Sequence, residues 1–147
     1  MYEKLMKEYE DKVKIYEMPL AGSLKGLYVD GNIAISTNLS SADKYTVLAE
    51  EIGHYLLSAG DIIDQTKMNN RKQEKLARAW AYEKTVPISE LIKGYEKRLQ
   101  SYEEMAEMLG VSLQYLGDVL NYYHGRYGYW QRFDGCLITF KPLRIIK

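Results

Sequence analysis

The sequence predicts an α+β domain, with a small and mostly antiparallel N-terminal sheet packed on a long helix and further helices. Three observations predict it. Apolar residues alternate with polar ones in VKIYEM, and an Asp30-Gly31-Asn32 turn separates two short β-rich runs. After Ser40 the apolar period lengthens from two residues to that of a helix. From there to the final dozen residues the chain reads as helical.

The elements follow in order. Residues 2–12 are charged and suit a short helix, and 13–18 form the first strand before Pro19 breaks it. Residues 27–29 and 33–35 pair across the Asp-Gly turn as a hairpin. Ser40 or Ser41 caps the next helix, and Asp43 in its first turn favours the positive end of the dipole. Val47, Leu48, Ile52, Tyr55 and Leu56 then recur at helical spacing until Gly60 stops the run. A polar loop covers 61–69. Asn70 with Gln73 resembles a capping box for a helix carrying Leu76, Ala77, Trp80 and Ala81, which ends before Pro87. Two more helices are expected at 89–109, with a break near Gly94, and at 113–123, closed by Gly125 and Gly128. The tail GCLITFKPLRII reads as a strand or extended segment.

A chain of 147 residues suits one compact domain, able to bury roughly 70% of its unfolded surface without disulfides. Within it, 10–90 hold the sheet and the principal helices, and 91–147 hold a helical segment and the extended tail. Cys136 is the single cysteine, which excludes an internal disulfide and suits a reducing compartment. No apolar run is long enough for a membrane span, and the polar opening MYEKLMKEYEDK lacks a signal-peptide core. A soluble, cytoplasmic protein is the expectation. Twenty acids balance twenty bases, so the whole-chain basic footprint of a nucleic-acid binder is missing. Arg126, Arg132, Lys141, Arg144 and Lys147 face only Asp134 at the C-terminal end, which reads first as a solvated basic tail. Fourteen tyrosines suit half-buried faces and polypeptide contacts.

The segment LAEEIGHYLL carries the chemistry. Residues four apart share a helix face, so Glu50 and His54 can reach one metal ion. Glu51 lies about 100° further round the helix, placed to act as a general base. This is the H-E-x-x-H arrangement with glutamate in the first position, E-E-x-x-H. Glu74 lies on the side of the next helix that bears Ala77 and Ala81, small residues that let two helices approach. It can supply a third ligand and leave a fourth position for water. Glu83 is another acid on that helix, more than two turns further on. The plain alternative for Glu50 and Glu51 is a pair of solvated helix carboxylates, and for His54 a structural histidine.

Neighbouring residues have two readings as well. Tyr55 can donate to an oxyanion or belong to the core, and Asp61 and Asp64 can orient His54 through its second ring nitrogen or simply solvate a loop. His124, at a helix end, suits a capping contact better than a ligand role. The stretch EEMAEMLGVSLQYLGDVLNYY has the pattern of a helix-turn-helix. Its second helix carries Asp118 and no lysine or arginine to hold phosphates, so direct nucleic-acid binding is not expected. A helical pair that borders a cleft or docks a protein fits it better.

Taken together, the sheet, the LAEEIGHYLL helix, the polar loop and then E-x-x-A-x-x-W-A followed by a proline resemble the ImmA/IrrE metallopeptidases of bacteria, their phages and integrative elements. There the helix usually reads H-E-x-G-H, followed by E-x-x-A-N-x-F-A and a proline. The matching positions are Glu50, Glu51, Gly53 and His54, then Glu74, Ala77, Arg78, Trp80, Ala81 and Pro87. The resemblance covers about residues 10–90 well and the remainder loosely. It implies a zincin-like active-site helix, with His54 and Glu74 as metal ligands and Glu51 as base. It implies a metal-dependent endopeptidase that cleaves a cytosolic helix-turn-helix repressor, with zinc as cofactor. Two positions depart: Glu50 replaces the usual histidine and Arg78 the usual asparagine. A Glu/His/Glu set is harder and more anionic, which moves preference towards manganese or iron and makes a bound water less acidic. A catalytically degenerate member that binds its repressor without cutting it is the competing expectation.

Overall fold

The computed structural model describes residues 1–59 and 70–147, and Asp61 and Asp64 lie outside them. The chain separates into two compact units, Met1–Lys84 and Thr85–Lys147.

The first unit opens with helix α1 (Tyr2–Tyr9), then strands β1 (Lys14–Met18), β2 (Gly26–Val29) and β3 (Asn32–Ser36). Helices α2 (Ser41–Ala59) and α3 (Asn70–Thr85) follow. The expected hairpin is present: β2 and β3 pair antiparallel across Asp30 (φ 46°) and Gly31 (φ 81°). Both turn residues need positive φ, which explains the Asp-Gly sequence. The sheet order is β1-β3-β2, and β1 runs parallel to β3. The N-terminal sheet is therefore mixed, one parallel and one antiparallel pair. The physical reason lies in burial. Ile33 and Ile35 are fully buried, so β3 takes the centre, while β1 and β2 keep mostly exposed residues at the edges.

Helix α2 packs on α1, β2 and β3. Ser40 Oγ accepts the Asp43 N–H at 3.1 Å and caps its first turn. Leu48, Ala49 and Ile52 point into the core between helix and sheet. Lys84 Nζ reaches Glu8 Oε2 at 2.7 Å, and the Trp80 ring meets Tyr9 edge-on at 6.2 Å between centroids, so α3 is tied to α1. Among the described residues no helix is long and apolar enough to cross a membrane.

The second unit holds α4 (Ile88–Glu96), α5 (Tyr102–Leu109), α6 (Leu113–Tyr127), and strands β4 (Gln131–Phe133), β5 (Cys136–Phe140) and β6 (Leu143–Ile146). The break expected near Gly94 falls later, between Glu96 and Tyr102. Gly94 stays helical and buried, and a Cβ there would stand 2.5 Å from the Met105 Cε and Sδ atoms. The real stop uses Arg98 at φ 60°, then Ser101, whose Oγ accepts the Glu104 N–H. Gly110 at φ 75° closes α5, and Ser112 caps α6, giving the expected helix-turn-helix outline. Helix α6 runs through Gly125 and ends at Gly128. The C-terminal tail is more than extended: it is an antiparallel sheet of order β4-β5-β6. Tyr123, whose hydroxyl donates to the Val86 carbonyl at 2.7 Å, packs against Phe140 of β5.

Candidate metal centre

The centre starts from a helix crossing. Gly53 of α2 faces the Ala77 backbone of α3, and a Cβ on Gly53 would come within 2.7 Å of the Ala77 carbonyl oxygen. Ala77 and Ala81 are buried, so only small side chains occupy the crossing. Glu50 and His54 lie on either side of Gly53 along α2, and Glu74 lies one turn before Ala77 on α3. Close backbone approach therefore delivers three donors to one place. Ligand atoms of Glu50, His54 and Glu74 all lie within 4.8 Å of one another.

The contacts form a chain. His54 Nε2 is 3.2 Å from Glu74 Oε1, and Arg78 Nη2 is 3.4 Å from Glu50 Oε1. Burial is the largest cause lifting the Glu50 carboxyl above its usual range, with Arg78 opposing and Glu74 adding to the rise. Glu51 is pushed up to about 7, by burial first and then by the charges of Glu50 and Glu74. Its side chain lies under β2: a Cβ on Gly26 would stand 3.2 Å from Glu51 Oε1.

The donor chemistry fits a divalent cation. Two carboxylates converge with one imidazole, and the repulsion between these carboxylates, and with Glu51 nearby, is what such a cation relieves. Glu50, His54 and Glu74 would hold it, with Glu51 beside them.

The other candidates lie differently. Tyr55 sets its ring edge-on to Tyr28 of β2 at 6.2 Å, and the Tyr28 hydroxyl in turn meets Ser58 Oγ at 2.9 Å. His124 belongs to the last turn of α6, where its carbonyl accepts the Gly128 N–H and its ring meets Tyr129 edge-on. Sequence reasoning marked Arg78 only as a departure from a pattern; its contact with Glu50 joins positions 28 residues apart. Gly26 was missed altogether, since one glycine at the start of a strand carries no signal of what it faces.

The family model of the IrrE N-terminal-like domain, a peptidase family, matches residues 9–121. The chain belongs to this family. The match takes in the first sheet, both helices of the crossing and, in the second unit, α4, α5 and the part of α6 up to Asn121. Membership in this peptidase family makes a metallopeptidase-type function the coarse assignment, and Glu50, His54 and Glu74 form a group that could hold a metal ion. No curated protein gave a significant match.

Proposed function

We propose that this IrrE-like domain is a metal-dependent endopeptidase that cleaves a regulatory protein in the cytoplasm, a helix-turn-helix repressor of a phage or mobile element. Zinc is the metal this reading favours, with manganese or iron as the alternatives that a second carboxylate ligand suits. The observation carrying the proposal is the convergence of Glu50, His54 and Glu74 on the Gly53–Ala77 crossing, with the carboxyl of Glu51 beside them.

When bound, the metal supplies Lewis-acid activation of water and of the peptide carbonyl. The rest falls to the chain. Glu51 takes a proton from the attacking water as the new C–O bond forms, then gives it to the amine nitrogen as the C–N bond breaks. Gly26 places no side chain against Val47 and the Glu51 carboxyl beneath it. Among the described residues β2 pairs only with β3, so its outer edge is open to an extended polypeptide. Cys136, buried as a free thiol, suits a reducing compartment. The balanced charge favours a protein partner over a nucleic acid.

A binding protein that has lost cleavage is the second reading, favoured by the contact between Glu50 and Arg78. Incubating the metal-loaded protein with candidate repressors, and sizing the products by mass spectrometry, separates the two. Cleavage should fall by about 10²-fold or more in Glu51→Gln while metal affinity is kept. Stable binding of a repressor with no product at any metal would favour the second reading.

A further inference from the structure

In the H-E-x-x-H arrangement the first position holds a neutral imidazole. Here it holds Glu50, which adds a second carboxylate to a group that already contains Glu74, with Glu51 next to it in the chain. Arg78 stands one turn beyond Glu74 on α3 and faces the same carboxylate. The guanidinium stays charged at every accessible pH, so its compensation is permanent.

The contact has the character of a displaceable one. At 3.4 Å it is long for a charged hydrogen bond, and it engages a single oxygen, Oε1, through a single nitrogen. The Arg78 side chain is 51% exposed and that of Glu50 28%. Partly exposed pairs of this kind are weak and exchange with solvent and ions. A divalent cation approaching Glu50 must both outbid Arg78 for that carboxylate and tolerate its positive charge nearby.

We propose that Arg78 is a counter-charge to Glu50 that competes with the metal for this carboxylate and so lowers the affinity of the centre, keeping the ion exchangeable. Two carboxylates and a neutral imidazole bring two negative charges, and Arg78 returns the set to one, the net charge of two imidazoles and a carboxylate. The chain thus carries a harder ligand without the excess charge that would hold a divalent ion too tightly. Arg78 is a positioning and affinity-setting residue, and the inference rests on the metal-centre reading above.

The test is divalent-ion affinity, measured for Zn²⁺ and Mn²⁺ by competition with a chromogenic chelator. The proteins are the wild type, Arg78→Met, Glu50→Gln, the Glu50→Gln/Arg78→Met double variant and His54→Ala, each checked for folding by its thermal melt. Arg78→Met should bind about tenfold or more tightly than wild type, because one positive charge near the ion is gone. In the Glu50→Gln background the same substitution should change affinity by less than about threefold, since the competed carboxylate is missing. Arg78→Met binding as wild type does, or more weakly, overturns the proposal. In that case the metal-centre reading stands if wild type binds and His54→Ala does not; if no protein in the set binds either ion, both fall.

Discussion

Gly53 and Ala77 touch backbone to backbone: a Cβ on Gly53 would lie 2.7 Å from the Ala77 carbonyl oxygen and 3.0 Å from its Cα. No flexible side chain is there to yield. The crossing is thus set by the absence of one methyl group, and it fixes how far Glu74 stands from His54. Gly53→Ala should push α3 away, cost about 1–3 kcal/mol by overpacking, and weaken metal binding although no ligand is changed. Chemical denaturation and chelator competition measure the two effects. A variant as stable and as metal-avid as wild type would show that the helices are held elsewhere.

The carboxyl cluster sets a pH dependence for the metal-free protein. Glu51 has an ordinary carboxylate value of 4.5 and is raised to about 7 in the folded chain. The folded state therefore holds a proton that the unfolded chain releases. That contribution is fully present below the unfolded value and is lost as pH rises through about 7. Glu50 is raised too and acts in the same direction. The melting temperature of the metal-free protein should fall between about pH 5 and about pH 8, and Glu51→Gln should flatten the fall. A divalent ion should abolish it by stabilising the ionised carboxylates. A melting temperature that rises over this range would contradict the assignment.

Trp80 ties α3 to α1 through its edge-on contact with the buried ring of Tyr9. Its burial is only partial, so Trp80→Ala should cost about 2 kcal/mol, less than the roughly 3–5 kcal/mol typical of a full core aromatic. Urea unfolding reads this directly. A loss below about 0.5 kcal/mol would mean that Lys84 and Glu8, rather than the rings, hold the two helices together.

Much of the first unit was legible because its signals are local. The Asp30-Gly31 turn, the Ser40 cap and the one-turn spacing of Glu50 and His54 each need only a few residues to state their geometry, whereas Glu74 lies on another helix and meets them only at the crossing. The strand order was not legible, since it depends on which strand wins the centre, and that follows from the burial of Ile33 and Ile35. In the second unit two available signals went unread. Asp134 (φ 48°) and Gly135 (φ 77°) repeat the turn at Asp30 and Gly31, but the short, mostly exposed strand Gln131–Phe133 beside them shows no alternation. Ser101 to Glu104 spells the S-x-x-E start of a helix, and both ends of it are used: Ser101 Oγ takes the Glu104 N–H, and Glu104 Oε2 takes the Gln100 N–H. Gly94 reads as a breaker, yet it lies inside a helix against the ends of the Met105 and Met108 side chains. The Glu50–Arg78 contact was out of reach for a different reason: it exists only once two helices have crossed.

The most direct test of the account is metal content of the purified protein by elemental analysis, beside His54→Ala and Glu74→Ala. The wild type should hold about one equivalent of a divalent metal per chain after equilibration with zinc, manganese or iron, and both variants should lose it. A folded wild type that takes up none of the three, or variants that keep the metal, would contradict it.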